Sequence, residues 1–305
     1  MKNNDLIVLF SGGRTSAYMC RWIKLNWEHK YNLHFLYCNT GQEHPKTLEF
    51  VNACDKTMGL DLVWIEADVK RKGIGTSYKI VNYETAARPT DYEDNNGIEN
   101  PFESMVKKFG LPNRDFPHCT RELKIEPMKK WAKDNVSPDY KLALGIRADE
   151  PKRLKQSKTD NEKLFPMAHD HPVTKDDVIY WWRNQSFDLE VPEHLGNCQW
   201  CWKKSDRKLL TIAKNDPSVF DFPSMLEKKY SCISNYHRKD ERMMFRGCRT
   251  TNDIFEETKS PFDEFVEKKT ISPSMSHYWD DDGEEYTDKD LDFEECADEC
   301  GSFMK

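Results

Sequence analysis

Residues 6–16 read Leu-Ile-Val-Leu-Phe-Ser-Gly-Gly-Arg-Thr-Ser, and this stretch decides the fold of the chain. Its first five residues are apolar, which predicts a strand buried on both faces of a parallel sheet. Residues 11–13 turn the chain, and residues 17–24 carry a helical pattern. Such an arrangement brings backbone N–H groups and the positive end of the helix dipole to one point. The stretch therefore predicts a phosphate-binding loop.

Glycines and hydroxyls supply the other features of such a loop. Gly12 and Gly13 let the backbone approach phosphate oxygens, and the hydroxyls of Ser11, Thr15 and Ser16 can donate further hydrogen bonds. Two glycines alone are more typical of an ordinary strand-to-helix turn. The buried strand before them and the hydroxyl-rich helix start after them favour the binding site.

Composition sets the class of protein. The chain has 305 residues, 37% hydrophobic and 32% charged, which is typical of a globular protein with one large domain or two modest ones. A net charge of −7 argues against a protein that is basic all over. Without a targeting signal or a membrane-spanning apolar run, we expect a cytoplasmic protein with no membrane partner. Its ten cysteines are then expected to be core residues, metal ligands or reactive thiols.

Strands and helices alternate beyond the first turn. Further strands are predicted over residues 33–38, 62–66 and 142–146, and a helix over residues 47–58. This alternation predicts a parallel α/β sheet with right-handed crossovers and ligands at the carboxyl ends of its strands. Residues 11–16 and 39–45 should then face one crevice. Residues 70–110 are polar and expected to be irregular.

A later helix is predicted to begin after Thr174. Asp177 stands three residues on, which is close to a capping box. The aromatic side chains of Trp181 and Trp182 are expected in the core rather than on a platform for stacking bases.

The turn at residues 11–16 resembles the PP-loop of the ATP pyrophosphatase superfamily, written Ser-Gly-Gly-x-Asp-Ser. That superfamily includes phosphoadenylyl-sulfate (PAPS) reductases, ATP-dependent thiolases of tRNA and DNA, and NAD and GMP synthetases. No Gly-Lys-Ser/Thr follows, so the turn is not a P-loop. The resemblance implies that nucleotide phosphates are bound by Ser11, Gly12, Gly13, Arg14, Thr15 and Ser16. Thr15 replaces the Asp of the pattern, which weakens the case for ATP cleavage with Mg held there.

Residues 39–47, Asn-Thr-Gly-Gln-Glu-His-Pro-Lys-Thr, resemble the Asp-Thr-Gly-x-x-x-Pro-Glu-Thr loop of PAPS reductases and their phage relatives. In that family the loop lies beside the adenosine. The resemblance therefore implies nucleotide contacts from Asn39, Thr40 and Gly41. A polar loop selected for turn chemistry alone is the other interpretation.

Residues 118–128 predict the start of a helix with Thr120 as its cap. They are similar to the Cys-x-x-Arg-Lys-Val-Glu-Pro segment of PAPS and APS reductases, with one extra residue after the Cys. The resemblance implies that Arg121 and Lys124 contact phosphate or sulfate. In the APS reductases cysteines at this place ligate an iron–sulfur cluster, and Cys119 matches one of them.

Residues 145–150, Gly-Ile-Arg-Ala-Asp-Glu, resemble the Gly-x-Arg-x-Asp-Gln/Glu-Ser loop that closes the active site of the superfamily. The resemblance implies nucleotide binding by Gly145 and both binding and catalysis by Arg147. A guanidinium can hold a phosphate with two hydrogen bonds. Asp149 or Glu150 would hold a metal or orient Arg147.

Residues 195–205 carry a second chemical signal, a pair of cysteines three residues apart. The sulfurs of Cys198 and Cys201 can converge on one ion, and zinc, a four-iron cluster and a dithiol redox couple all use such a pair. The segment looks like one found in phage-encoded and bacterial PAPS-reductase-like proteins. Our preferred ligand set adds Cys296 and Cys300. The competing set adds Cys119 and leaves the fourth ligand unknown.

Cys300 has a second interpretation. Residues 299–301, Glu-Cys-Gly, match part of the Glu-Cys-Gly-x-His ending of PAPS reductases, whose Cys attacks the sulfur of the sulfonucleotide. Phe303 stands where that ending has His, so a catalytic thiolate would need activation from elsewhere. We therefore favour Cys300 as a metal ligand over Cys300 as the catalytic nucleophile.

Four motifs follow the order of the family across about residues 6–210, and the chain is identified as a member of the PAPS-reductase-like family of phage and bacterial type. This implies a PP-loop α/β domain over residues 1–165, with helices on both faces of a twisted parallel sheet, and a cysteine-bearing region over residues 166–305. The implied ligand is ATP or PAPS, and the foremost function is sulfonucleotide reduction with a thiol reductant such as thioredoxin. Adenylation with sulfur transfer to DNA or tRNA is one alternative. A non-catalytic nucleotide-binding module with structural zinc is another.

Overall fold

The computed structural model describes residues 4–70, 73–157, 162–233 and 242–267. Its centre is a six-stranded sheet in the order β4-β3-β2-β1-β5-β6. The strands are β1 (Asp5–Phe10), β2 (Asn32–Asn39), β3 (Val63–Val69), β4 (Thr76–Val81), β5 (Lys141–Ala143) and β6 (Lys163–Leu164). Neighbouring strands are parallel except β3 and β4, which are antiparallel. The predicted α/β fold is confirmed, with β4 as an antiparallel edge.

Helices connect and cover these strands. In chain order they are α1 (Arg14–Trp27), α2 (Pro45–Met58), α3 (Glu93–Asn96), α4 (Pro101–Phe109), α5 (His118–Thr120), α6 (Glu126–Asn135), α7 (Pro151–Ser157), α8 (Pro166–His169), α9 (Lys175–Arg183), α10 (Asp206–Asn215), α11 (Asp221–Tyr230) and α12 (Thr251–Glu257). A π-helical stretch, Arg121–Ile125, joins α5 to α6. Short 3-10 turns span Glu193–Leu195 and Pro217–Phe220. Within these described residues, no helix is both long and apolar enough to cross a membrane.

The sheet is buried on both faces, because successive residues of a strand point to opposite sides. Leu6, Val8 and Phe10 of β1 belong to an apolar cluster that includes buried residues of α1, α2 and α9. Ile7 belongs instead to a cluster with Trp131 of α6. This confirms the prediction of a buried strand with helices on both faces.

The helices after residue 195 build a further core. Buried residues of α10, α11 and α12 form an apolar cluster with Phe102 of α4 and with Cys198 and Cys201. The preceding helices α8 and α9 contact α1 instead. The division of the chain at residue 165 stays a prediction.

Residues 70–110 were predicted to be irregular, and this is wrong. The segment contains β4 and α4. Asn100 caps α4 by accepting a hydrogen bond from the backbone N–H of Glu103 at 3.0 Å, and Pro101 follows at the first helical position. Asn-Pro is a helix start signal that the surrounding acidic residues obscured.

Two helix starts also differ from prediction. The helix predicted to be capped by Thr120 begins earlier, at His118, and Thr120 lies inside it with helical φ and ψ. Helix α1 begins at Arg14 rather than at residue 17, so the Arg-Thr-Ser sequence forms its first turn. By contrast, the predicted capping box of Thr174 and Asp177 is confirmed at the start of α9.

Candidate nucleotide-binding site

The turn after β1 is held by hydrogen bonds within itself. Ser16 Oγ accepts from the backbone N–H of Ser11 at 3.1 Å, lies 2.9 Å from Ser11 Oγ and donates to the Gly13 carbonyl at 3.0 Å. Helix α1 begins in this turn, so its first N–H groups have no acceptor inside the helix. These groups and the positive dipole end are what a phosphate needs. We call residues 11–16 the phosphate loop.

The two glycines of the phosphate loop serve different purposes. Gly12 has a φ of +84°, and a Cβ there would lie 2.8 Å from Thr47 Cγ2 on α2 and 3.4 Å from Tyr37 Cε2. Close packing beneath the loop therefore requires Gly12. Among the described residues, a Cβ on Gly13 would meet only Ser11 Oγ within 4 Å, at 3.8 Å. Gly13 therefore leaves room for a ligand to approach the backbone.

The loop that follows β5 packs against the phosphate loop. A Cβ on Gly145 would lie 3.2 Å from Ser16 Cα, so the two backbones are nearly in contact. Arg147 Nη1 donates to Thr15 Oγ1 at 3.2 Å. The structure thus brings together the predicted residues Thr15, Ser16, Gly145 and Arg147 at one edge of the sheet.

Two carboxylates accept hydrogen bonds from Arg147. Its Nε donates to Asp149 Oδ1 at 2.8 Å, and its backbone N–H donates to Glu150 Oε2 at 2.8 Å. A second arginine, Arg153, pairs with Glu150 Oε1. Asp149 therefore holds the Arg147 side chain, whereas the hydrogen bond of Glu150 holds its backbone. The predicted role of either acid in holding a metal stays a prediction.

Asn39 ends β2 at the same edge of the sheet. Its Nδ2 donates to Glu66 Oε1 at 2.6 Å and to the Ala87 carbonyl at 3.0 Å, and the Ala87 N–H donates to the same Glu66 oxygen at 2.6 Å. Glu66 is fully buried and forms an ion pair with Lys79 at 2.8 Å. Both amide hydrogens of Asn39 are therefore used, which fixes the orientation of its side chain.

The predicted nucleotide loop, residues 39–47, contacts the turn that carries Cys198 and Cys201, which we call the cysteine turn. The buried carboxylate of Glu43 accepts from the Thr40 backbone N–H at 3.0 Å and from Thr40 Oγ1 at 2.7 Å. Thr40 Oγ1 lies 3.5 Å from Cys198 Sγ, and Glu43 and Cys198 form a β-bridge. Trp200 Nε1 donates to Gln42 Oε1 at 2.9 Å. The two segments therefore form one structural unit.

Cys198 and Cys201 stand on one turn, where the Cys201 N–H donates to the Cys198 carbonyl at 3.0 Å, and each is 6% exposed. Cys119 belongs to the same apolar cluster. A buried thiol pair fits zinc or an iron–sulfur cluster as two of four ligands. Across the described ranges, no three His, Cys, Asp or Glu side chains are grouped to hold a metal ion. Cys296 and Cys300 lie outside those ranges, so both ligand sets and the catalytic role of Cys300 stay predictions.

Arg121 and Lys124 lie on the π-helical stretch, which packs against β2 and β3. The Arg121 side chain is 59% exposed, and its Nε lies 3.1 Å from Glu122 Oε1. The Lys124 carbonyl lies 3.8 Å from Cys38 Sγ on β2. Their predicted contacts with phosphate or sulfate stay predictions.

Sequence reasoning missed several residues that hold this site. Glu43 lies inside the motif of residues 39–47, so the rule that ligands meet at strand ends points to it. Glu66 lies in the middle of β3, where it is paired with Asn39 of β2. Tyr37 is buried beneath the phosphate loop, and burial, reinforced by Glu43 and Cys198, raises the pKa of its hydroxyl well above the usual value. Asp188 pairs with Arg14 from 174 positions away, which no local pattern could indicate.

Comparison with known proteins gives a family model and two relatives. Residues 5–99 match the family model described as phosphoadenosine phosphosulfate reductase domain. The chain is 36% identical over 252 residues to the uncharacterized nin region protein ORF290 of Escherichia phage lambda, a match that covers 81% of this chain and 83% of that protein. It is 34% identical over 70 residues to an uncharacterized protein of Methanocaldococcus jannaschii, covering 21% of this chain and 15% of that protein.

A solved structure is also similar. It is the crystal structure of phosphoadenylyl-sulfate (PAPS) reductase from Candida auris in a phosphate complex. The match has a TM-score of 0.35 and 13% sequence identity, and it covers 65% of this chain and 77% of that one.

Proposed function

Because this chain belongs to the PAPS-reductase-like family, we propose that it binds an adenine nucleotide at the phosphate loop and uses it for chemistry on sulfur. The function that the site supports best is reduction of a sulfonucleotide such as PAPS. The observation that carries this proposal is that Thr40 and Glu43 of the predicted nucleotide loop both contact Cys198 of the cysteine turn. It places a thiol beside the loop that is expected to hold the nucleotide.

The phosphate loop offers the donors that a polyanionic nucleotide requires. First-turn N–H groups of α1 would donate hydrogen bonds to the phosphate oxygens, and Gly13 leaves space for these oxygens to approach. The guanidinium of Arg147, 3.2 Å from Thr15 Oγ1, would supply positive charge at the same place. Asp149 holds that guanidinium in one orientation, which prepares it for a planar, two-bond contact.

Reduction of the sulfonyl group of PAPS to sulfite takes two electrons. Two thiols supply them when they join in a disulfide, so PAPS and two thiols would give the nucleotide bisphosphate, sulfite, a disulfide and two protons. A dithiol protein such as thioredoxin is the proposed reductant, and Cys300 is the proposed nucleophile if it is not a metal ligand. If the cysteine turn holds zinc or an iron–sulfur cluster, Cys198 and Cys201 would be two of its ligands.

Adenylation by ATP with sulfur transfer to DNA or tRNA is the second candidate. The buried cysteine pair favours it, because an iron–sulfur cluster beside the nucleotide loop would suit that chemistry as well. Thr15 argues the other way. It stands where the superfamily has Asp, and it accepts a hydrogen bond from Arg147, so the loop presents a guanidinium where a metal ligand would be needed.

Assays on anaerobically purified protein would distinguish sulfonucleotide reduction from adenylation. Metal analysis and an absorption spectrum establish the cofactor, after which PAPS and a thiol reductant are supplied and sulfite is measured. We expect sulfite release that Arg147→Ala abolishes and that the exposed control Arg183→Ala leaves unchanged. Pyrophosphate release from ATP without sulfite from PAPS would overturn the reductase proposal in favour of adenylation.

A further inference from the structure

Arg14 opens α1 inside the phosphate loop, yet its guanidinium is engaged by the segment that follows α9. Nε donates to Asp188 Oδ1 at 2.7 Å, and Nη2 donates to Asp188 Oδ2 at 3.0 Å and to the Leu189 carbonyl at 2.6 Å. The two side chains are 27% and 33% exposed. A paired, parallel arrangement of this kind fixes the geometry of both partners.

The same part of the chain also reaches the backbone of the loop. Trp182 is 1% exposed, and its Nε1 donates to the Arg14 carbonyl at 3.0 Å. Both the side chain and the main chain of Arg14 are therefore held by residues that lie far along the sequence.

The segment is fastened at its other end as well. Glu193 accepts from Lys175 at 3.2 Å and from Lys208 at 2.9 Å. Burial raises the pKa of Glu193, but the two lysine charges outweigh this effect, so that the pKa lies below its usual value. Residues 184–193 thus form a strap that runs from the phosphate loop to the residues just before the cysteine turn.

We propose that Asp188 is a positioning residue, which acts through Arg14 to hold the phosphate loop in its binding conformation. Arg14 then supports the loop from behind instead of contacting phosphate. If the guanidinium turned towards a nucleotide, it would leave the partly buried Asp188 carboxylate without its partner, which is unfavourable. This inference rests on the proposed nucleotide binding at the loop.

A double-mutant cycle tests the inference by calorimetric titration with ATP and with PAPS. Arg14→Gln and Asp188→Asn should each weaken binding about tenfold, and the double variant should be no weaker, because both changes remove one interaction. Asp188→Glu keeps the carboxylate and should restore most of the affinity at unchanged melting temperature. Glu28→Gln is the matched control, since it removes the ion pair with Lys24 at the other end of α1.

Wild-type affinity in Asp188→Asn together with lost binding in Arg14→Gln would make Arg14 a phosphate ligand and overturn the inference. Hydrogen exchange on nucleotide-free protein tests the inference separately from the proposed function. Asp188→Asn should speed amide exchange over residues 14–20, whereas Glu28→Gln should not. Unchanged exchange in Asp188→Asn would overturn the inference even if nucleotide binds. Faster exchange in a protein that binds no nucleotide would support the inference and contradict only the proposed function.

Discussion

Replacing Gly12 with alanine should destabilise the protein by more than the backbone conformation alone requires. The φ of +84° is left-handed, which costs a residue with a Cβ about 1–2 kcal/mol. The new Cβ would also lie 2.8 Å from Thr47 Cγ2, whereas carbon atoms in contact normally stand about 3.5–4.0 Å apart. Overpacking of this kind costs about 1–3 kcal/mol. The sum is a loss of about 2–5 kcal/mol in the free energy of unfolding.

Gly59 provides a matched control for the backbone cost. It has a φ of +61°, and no atom of the described part of the chain lies within 4 Å of the position of a Cβ, so Gly59→Ala carries the conformational cost without the clash. Urea denaturation of both variants should therefore differ by about 1–3 kcal/mol. Thr47→Ser removes the Cγ2 methyl group, and we expect it to recover most of that difference in the Gly12→Ala background.

Equal losses in Gly12→Ala and Gly59→Ala would refute this account of the loop. So would a Gly12→Ala variant that Thr47→Ser fails to rescue, because the clash would then lie elsewhere.

Three further predictions concern the site and its surroundings. Gly145→Ala should weaken ATP and PAPS binding about tenfold in a folded protein, because its Cβ would press on Ser16 Cα from 3.2 Å; calorimetry showing unchanged affinity would contradict this. Glu66→Gln should lower the free energy of unfolding by about 1–3 kcal/mol, since a neutral amide weakens the charge-assisted hydrogen bond from Asn39. Urea denaturation measures this loss, and a variant as stable as the wild type would contradict the prediction. Burial, reinforced by two nearby arginines, lowers the pKa of His118 from 6.5 to about 4. As the pH drops below 6.5, the unfolded chain therefore takes up a proton before the folded one, and the free energy of unfolding falls. After allowance for solvent screening, the wild type should lose about 1 kcal/mol more than His118→Leu between about pH 7 and pH 5, and parallel pH profiles would exclude this cause.

Elements whose signals lie within a few residues were predicted from the sequence. Five consecutive apolar residues indicated β1, and Thr174 with Asp177 indicated the start of α9. Strand β4 was missed because it is a partly exposed edge strand without a clear period. Its antiparallel pairing with β3 determines its structure, and pairing is a property of the folded chain rather than of a local pattern.

The same distinction between local signals and distant contacts applies to the candidate site. Motifs located the phosphate loop and the loops after β2 and β5, because each lies within a short stretch at the end of a strand. The contacts that hold these loops join distant residues, such as Arg14 with Asp188 across 174 positions and Gln42 with Trp200 across 158. Local sequence patterns do not encode such partners, so only the structure could reveal them.

Calorimetric titration of PAPS and ATP into the wild type and into Gly13→Val tests the central claim most directly. Within the ranges that the structure describes, a side chain on Gly13 would have only Ser11 Oγ near it, at 3.8 Å from Cβ, so the variant should fold with an unchanged melting temperature. The valine would then occupy the space through which, on our proposal, phosphate oxygens reach the backbone. We predict saturable binding of at least one of the two nucleotides to the wild type and none to Gly13→Val. Equal affinity in the two proteins, or no binding to the wild type, would contradict the assignment of residues 11–16 as a phosphate loop.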